Sequence, residues 1–302
     1  MKQHVNEATS IWGADDEATT DIRPLTTADV RRLAIDPRRG MDADDVLSLV
    51  VQHPGLSMWH PESGEFILVT PWRHRKDLPV IHTISAIRHE TELLHAVVRA
   101  AAAMKCVALI YVDSIETRRA AFYERHGFEE IEQITTFELS RPRFAPVRFH
   151  AQQDFMRVPI RDESWLQVIL QLDHTAFPWL WWNSRQEMET YLQYPGVEVW
   201  VGTLGDEIVS YVGLTHYYGW GHLDRIATHP AYQGRGLGRE SLRFAIERMT
   251  NNGARRIALS TQGNNTRSRT LYQNIGFRET PKHDYTVYAV VIDRERLFAG
   301  GE

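Results

Sequence analysis

Cysteine is almost missing from this chain: Cys106 stands alone among 302 residues, which excludes an intrachain disulfide and suits a reducing compartment. Long apolar runs are missing as well. No stretch of eighteen apolar residues occurs, and the opening M-K-Q-H-V-N-E-A-T-S-I-W-G-A-D-D-E has no apolar signal core, so no membrane partner is expected and a cytoplasmic protein is. Positive charge is not in excess. The formal net charge is −5 and no basic stripe carries interleaved aromatics, so nucleic acid is not an expected partner. The histidines form no H-E-x-x-H and no Cys/His cluster, and no metal site is expected. No G-x-S-x-G elbow occurs, and Ser260 has no triad partner readable from the sequence.

Against these absences one stretch stands out, L-D-R-I-A-T-H-P-A-Y-Q-G-R-G-L-G-R-E-S-L-R-F-A-I-E-R from Leu223 to Arg248. An apolar run ends at Pro230, a loop carries Gln233, Gly234, Gly236 and Gly238, and apolar Leu237, Leu242, Ala245, Ile246 and Met249 then recur at helical spacing. Strand, glycine loop and helix together offer anion binding. The first turn of a helix has N–H groups without intrahelical partners and a partial positive charge, and glycines let a phosphate reach the backbone. Arg235 and Arg239 add charge. Spacing narrows the ligand: a G-x-G-x-x-G fingerprint starting at Gly234 would need glycine where Arg239 stands, and G-x-x-x-x-G-K-[ST] has no match. An ordinary glycine turn before a helix remains the plain alternative.

Gln233-x-x-Gly236-x-Gly238 resembles the Q/R-x-x-G-x-G/A loop of the GNAT family of N-acetyltransferases, which wraps the pyrophosphate of coenzyme A. A second likeness lies downstream. After the strand-like R-I-A-L-S-T comes N-N-T-R-S-R-T-L-Y-Q-N-I-G-F, similar to the family signature N-x-x-A-x-x-L-Y-x-x-x-G-F, with Asn265, Ser268 in the alanine place, Leu271, Tyr272, Gly276 and Phe277. Two signatures in order, separated by one helix and one strand, are more specific than either alone.

The unit is also duplicated. His53-Pro54-Gly55 through Trp59 echoes Tyr194-Pro195-Gly196 through Trp200, and Phe122-Tyr123-Glu124-Arg125-His126-Gly127-Phe128 echoes Leu271 through Phe277. The resemblance therefore implies an α/β fold with a mixed sheet, as two tandem GNAT-like domains. The expected bounds are a loose tail over 1–20, a degenerate domain over 21–142, a linker over 143–156 and the catalytic domain over 157–302, with Arg157–Ile160 its first strand. The first copy has S-A-I-R-H-E-T where the second has its glycine loop, and Glu116 and Arg119 fill the places of the asparagine and alanine. Side chains there take the space of a pyrophosphate, so a structural role is expected of it: covering one side of the second domain, shaping the acceptor pocket or making an oligomer contact such as a homodimer. Cys106 reads as a buried small residue.

The chemistry implied is attack of an amine on the thioester of acetyl-CoA, which needs a base because an alkyl amine is largely protonated at neutral pH. His222 and Asp224 are two apart on a strand and share a face. His222 falls near the place of the family's base, and Asp224 is expected to orient it or to bind the acceptor's ammonium. By resemblance Tyr272 protonates or hydrogen-bonds the departing thiolate. The backbone of Ile226, Ala227 and Thr228 would take the pantetheine arm and supply oxyanion donors, with Gln233, Gly234, Arg235, Gly236, Leu237, Gly238 and Arg239 on the phosphates. Asn265 would hold the arm from the other side or cap its helix, or both. The aromatic run D-H-T-A-F-P-W-L-W-W-N-S offers Phe177, Trp179, Trp181 and Trp182, with Trp220, as walls for a small-molecule amine; core packing is the alternative. Two readings of function stay beside the acetyltransferase: a non-catalytic acyl-CoA sensor, and a tandem enzyme of the mycothiol synthase type, for whose sugar acceptor no residue set is found here. A nucleotide-binding module is a third.

Overall fold

The structure is a computed structural model that describes residues 21–35, 41–115, 117–142, 152–159 and 162–298. The expected tail over 1–20, residues 143–151 of the expected linker, Glu116 and Ile160 lie outside the described residues. Contacts divide the chain into two compact units. One runs to Ile131 and takes in Thr286–Gly300; the other is Glu132–Tyr285.

These units are not the contiguous stretches 21–142 and 157–302. Most of the strand Glu129–Ser140 goes with the second unit, and nearly all of the strand Tyr285–Val291 goes with the first. Alternation of apolar and polar residues specifies that a segment is a strand; it does not specify the neighbour it pairs with. The second unit's first strand also starts earlier than expected, at Asp154–Arg157, where Met156 and Arg157 pair with Val201 and Trp200.

Both units are built the same way. In the first, the strands Arg23–Pro24, Met58–Trp59, Phe66–Trp72 and Arg75–Ser85 pair in succession, followed by Ala108–Ser114 and Tyr285–Val291. Arg75–Ser85 and Ala108–Ser114 are parallel, with Val80 opposite Ile110. A parallel pair requires a crossover, and the helix Glu90–Ala103 supplies it. Leu93, Leu94, Val97, Val98 and Ala101 fall three and four apart along that helix and are buried.

The second unit runs Asp154–Arg157, Val197–Leu204, Glu207–Tyr217, Trp220–Thr228, Arg256–Gln262 and Glu129–Ser140 across its sheet, with Arg278–Glu279 also on the last strand. Trp220–Thr228 and Arg256–Gln262 are parallel. Their crossover helix, Leu237–Asn251, packs Leu242, Ala245, Ile246 and Met249 on Leu223, Ile257 and Leu259, with Phe137 in the same core. The other face is covered by the helices Glu163–Ala176 and Arg185–Gln193, whose Leu166, Ile169, Met188 and Leu192 meet Val197, Val199, Val201 and Tyr211. Each such side chain stabilises the fold by roughly 1.5–3 kcal/mol on burial. Among the described residues no helix is long and apolar enough to cross a membrane.

Candidate active site

The site begins where two parallel strands part. Trp220, Gly221, His222 and Leu223 pair with Arg256, Ile257, Ala258 and Leu259, and the register ends there. On its other side the first strand continues, with Ile226, Ala227 and Thr228 opposite Val212, Tyr211 and Ser210. One edge of Ile226–Thr228 is thus open for an extended chain to add as a strand would. A bulge marks the divergence: the register shifts between Leu223 and Arg225, leaving Asp224 as the extra residue. Leu223 packs beneath the crossover helix, while Arg225 reaches the opposite face to donate to the Trp181 carbonyl at 2.6 Å.

The glycine loop lies at the far end of this opening. A short 3-10 turn, Pro230–Tyr232, leads into it, and Gly236 is the N-cap of Leu237–Asn251 at φ +88° and ψ −6°. That left-handed backbone is one that only glycine adopts without strain. A Cβ on Gly234 would meet nothing within 4 Å, and one on Gly236 only the Gln152 amide at 3.9 Å. The space above the loop is therefore open beside first-turn amides that lack intrahelical partners. Gln233 is turned to its own frame, donating to the Thr228 carbonyl at 3.1 Å and accepting from Arg267 at 2.6 Å. Arg267 thereby joins exposed Arg235 and Arg239 around the loop. The sequence reading missed it, although it stands two places after Asn265 in the second signature. These features fit a diphosphate.

His222 and Asp224 are brought together. The His222 Nδ1 lies 2.8 Å from Asp224 Oδ1; a carboxylate only accepts, so Nδ1 carries a proton, and in the neutral ring Nε2 is the nitrogen with the lone pair. Asp224 Oδ2 accepts from the Tyr191 hydroxyl at 2.7 Å and the Thr215 hydroxyl at 2.6 Å. Burial, and then the Asp224 charge, push the Tyr191 hydroxyl well above its ordinary pKa, so it remains a donor. Tyr191 and Thr215 were not singled out in the sequence; a tyrosine one helix away carries no local signal of its partner. Trp220 shares this face of the strand and stacks on Tyr217 at 4.1 Å.

Tyr272 is buried against Phe137 and Phe277. Burial raises its hydroxyl to about 12, against a smaller opposing pull from the Ser268 hydroxyl. Asn265 is the N-cap of the helix Thr266–Ile275, accepting from Ser268 N at 3.1 Å; one face of its double expectation is thus structural.

The aromatic run is tied into the unit. Asp173, fully buried, accepts from Asn183 N at 2.8 Å, Asn183 Nδ2 at 3.1 Å and the Tyr211 hydroxyl at 2.5 Å. Its Oδ2 lies 3.7 Å from the Arg225 guanidinium, which sits 4.4 Å above the Phe177 ring. Trp182 stacks on His174 and donates to the Phe177 carbonyl at 2.8 Å. The Trp181 indole N–H donates to Glu132, whose carboxyl burial pushes above the ordinary range. Trp179 is half-buried in the turn Trp179–Trp181. Glu132 escaped the sequence reading because it lies outside the stretch assigned to the second domain.

Residues 166–277 match the model of the acetyltransferase (GNAT) family. No curated protein matches the chain. Among solved structures, a GCN5-related N-acetyltransferase from Sphaerobacter thermophilus is similar at 17% identity with a TM-score of 0.56, over 90% of this chain and 95% of that one. A tandem GNAT protein from the clavulanic acid biosynthesis pathway is similar at 12% identity and a TM-score of 0.58, over 90% and 98%. A GCN5-related N-acetyltransferase from Kribbella flavida reaches 14% and 0.51, over 74% and 86%. At such identities the likeness is one of fold. The stretch that matches the family model holds the parted strands, the glycine loop and the His222–Asp224 pair, and the chain shares the fold of the tandem GNAT protein.

Proposed function

We propose that this chain is an acetyl-CoA-dependent N-acetyltransferase that acts through its second unit on the amine of a small molecule. The observation that carries the reading is the parting of two parallel strands at Asp224, with open amides of a glycine loop at one end and an oriented histidine at the other. Acetyl-CoA, when bound, supplies an acetyl group activated as a thioester. The amides opening Leu237–Asn251, with Arg235, Arg239 and Arg267, hold the diphosphate, and the free edge of Ile226–Thr228 pairs with the pantetheine arm. His222 Nε2 takes the proton from the attacking amine, while Asp224 fixes the ring and offsets the charge that develops on it. Tyr272 keeps its proton at neutral pH and donates a hydrogen bond to the leaving sulfur. Full transfer from a phenol near 12 to a thiolate of ordinary basicity, about 8.5, is uphill, so the hydrogen bond is the part it plays. Trp220, stacked on Tyr217 and on the same strand face as His222, would flank the acceptor.

Thiol release from acetyl-CoA is measured against a panel of amines, for the wild type and for His222→Ala and Tyr272→Phe. Turnover that falls in both variants while coenzyme binding persists supports the reading. Coenzyme binding without turnover in the wild type favours the acyl-CoA sensor instead. Thermal-shift titration with coenzyme A, NAD and ATP separates both from a nucleotide-binding module, which predicts the larger shift with NAD or ATP.

A further inference from the structure

The first unit has a loop in the place of the glycine loop, and that loop is filled. Ala86–His89 follows the strand Arg75–Ser85 and opens the crossover helix Glu90–Ala103, as Gln233–Gly238 does in the second unit. Its three successive amides converge on one carboxylate. Glu65 Oε1 accepts from Ile87 N at 3.0 Å and Arg88 N at 3.1 Å, and Oε2 from His89 N at 3.0 Å and His89 Nδ1 at 2.8 Å. A run of backbone N–H groups at a helix start is an anion nest, and this one holds an anion of the chain itself.

The seat is built rather than incidental. The Glu65 side chain is only 12% exposed. Its carbonyl accepts from His60 N at 2.8 Å and its own N–H donates to Ser63 Oγ at 3.3 Å. His60 Nδ1 lies 3.1 Å from the same Ser63 hydroxyl, and the buried His60 ring stacks on His89 at 3.9 Å and 8°. Burial alone would raise the Glu65 carboxyl, yet the bonds from Arg88, His89 and Ile87 overcome it and hold the group at about 2.

A second closure follows where the coenzyme's arm would run. Arg119, which stands in the place of Ser268, pairs at 2.5 Å with Glu90 at the start of the crossover helix. Beside it Tyr123, in the place of Tyr272, is fully buried with Tyr111 stacked on it at 3.6 Å.

We infer that the first unit is a coenzyme site sealed from within: the Glu65 carboxylate occupies the diphosphate seat, the Arg119–Glu90 pair spans the course of the arm, and the chain binds one coenzyme A, in its second unit. The inference rests on the reading of the second unit as a coenzyme site, so two experiments separate the two claims. In the first, the full chain is titrated calorimetrically with coenzyme A. One equivalent in the wild type and none in folded Gly236→Trp is the expected result; two equivalents, or one retained by Gly236→Trp, overturns the inference. The second uses no coenzyme. Inorganic phosphate is expected to raise the Tm of Glu65→Ala more than that of the wild type, because an anion returns to the emptied nest; equal shifts overturn the assignment of that seat. If Glu65→Ala does not fold, Glu65→Gln decides by acid titration. The native carboxyl is lowered from 4.5 to about 2, so its stabilisation is complete above pH 4.5 and lost as pH falls toward 2. Glu65→Gln should flatten that loss, and an acid profile equal to that of the wild type overturns the seat. A wild type that binds no coenzyme at all sinks the acetyltransferase reading, while the phosphate and acid measurements still decide what Glu65 does.

Discussion

Asp224 holds the proposed mechanism together, because a single carboxylate sets the tautomer of His222 and is itself fixed by Tyr191 and Thr215. Asp224→Asn keeps the shape and an acceptor oxygen but removes the charge that opposes imidazolium formation. We expect kcat to fall by about 10²–10⁴-fold, the range of a lost general base, with KM for acetyl-CoA unchanged; steady-state kinetics checks the split, and an equal rise in KM would mean a structural role. A second residue governs stability on the other face of the sheet. Glu198 is gripped by Arg248 at 2.7 and 2.8 Å, with the Trp200 indole N–H at 3.0 Å. The Arg248 guanidinium leads in holding its carboxyl near 2, against the opposing effect of burial. A lowered carboxyl stabilises the fold above its unfolded value near 4.5 and ceases to as pH falls toward 2. Glu198→Gln should cost roughly 1.5–3 kcal/mol at neutral pH, and the gap from wild type should close in acid, as read by denaturant unfolding at several pH values.

At the scale of elements, the strand Glu129–Ser140 has the most surprising membership. It lies in the amino-terminal half of the sequence, yet it pairs with Arg256–Gln262 over seven residues, Ser140 opposite Arg256 to Ile134 opposite Gln262. Its Phe137 is fully buried among Leu242, Ile246, Leu259 and Tyr272. Phe137→Ala should therefore cost about 3–5 kcal/mol and weaken coenzyme binding in the second unit, which thermal unfolding with and without coenzyme A reads. A fragment of residues 157–302 should not give a cooperative transition, because it lacks this strand. The glycine loop, its helix and the two signatures were legible because their information is local: glycine spacing, helical periodicity and a turn. The duplication was legible for the same reason. What escaped was long-range pairing. Nothing near Glu132 announces that its carboxylate receives the Trp181 indole, and nothing near Asp224 names Tyr191. The tryptophan run shows the converse, since its composition suggested a pocket wall while Asp173 and Arg225 bind much of it into the unit.

For the molecule as a whole, the two units share one plan and differ in what lies at the start of the crossover helix. In the second unit a Cβ on Gly234 would meet nothing within 4 Å and one on Gly236 only the Gln152 amide; in the first, the amides of Ile87, Arg88 and His89 already bond to Glu65. A ligand that stabilises only the native state adds RT ln(1 + [L]/Kd), about 2.7 kcal/mol at a hundredfold excess over Kd. That increment should enter hydrogen exchange unevenly. Amides that gain a direct partner, those of Gly236, Leu237 and Gly238 and the open edge of Ile226–Thr228, should slow most on addition of coenzyme A. Those of residues 87–89 should exchange as before, because their acceptor is internal and unchanged. Peptide-level exchange with and without coenzyme A reads both loops in one experiment. Protection appearing at residues 87–89 and absent from 234–238 would place the coenzyme in the wrong unit, and with it the catalytic roles of His222 and Tyr272 would fall.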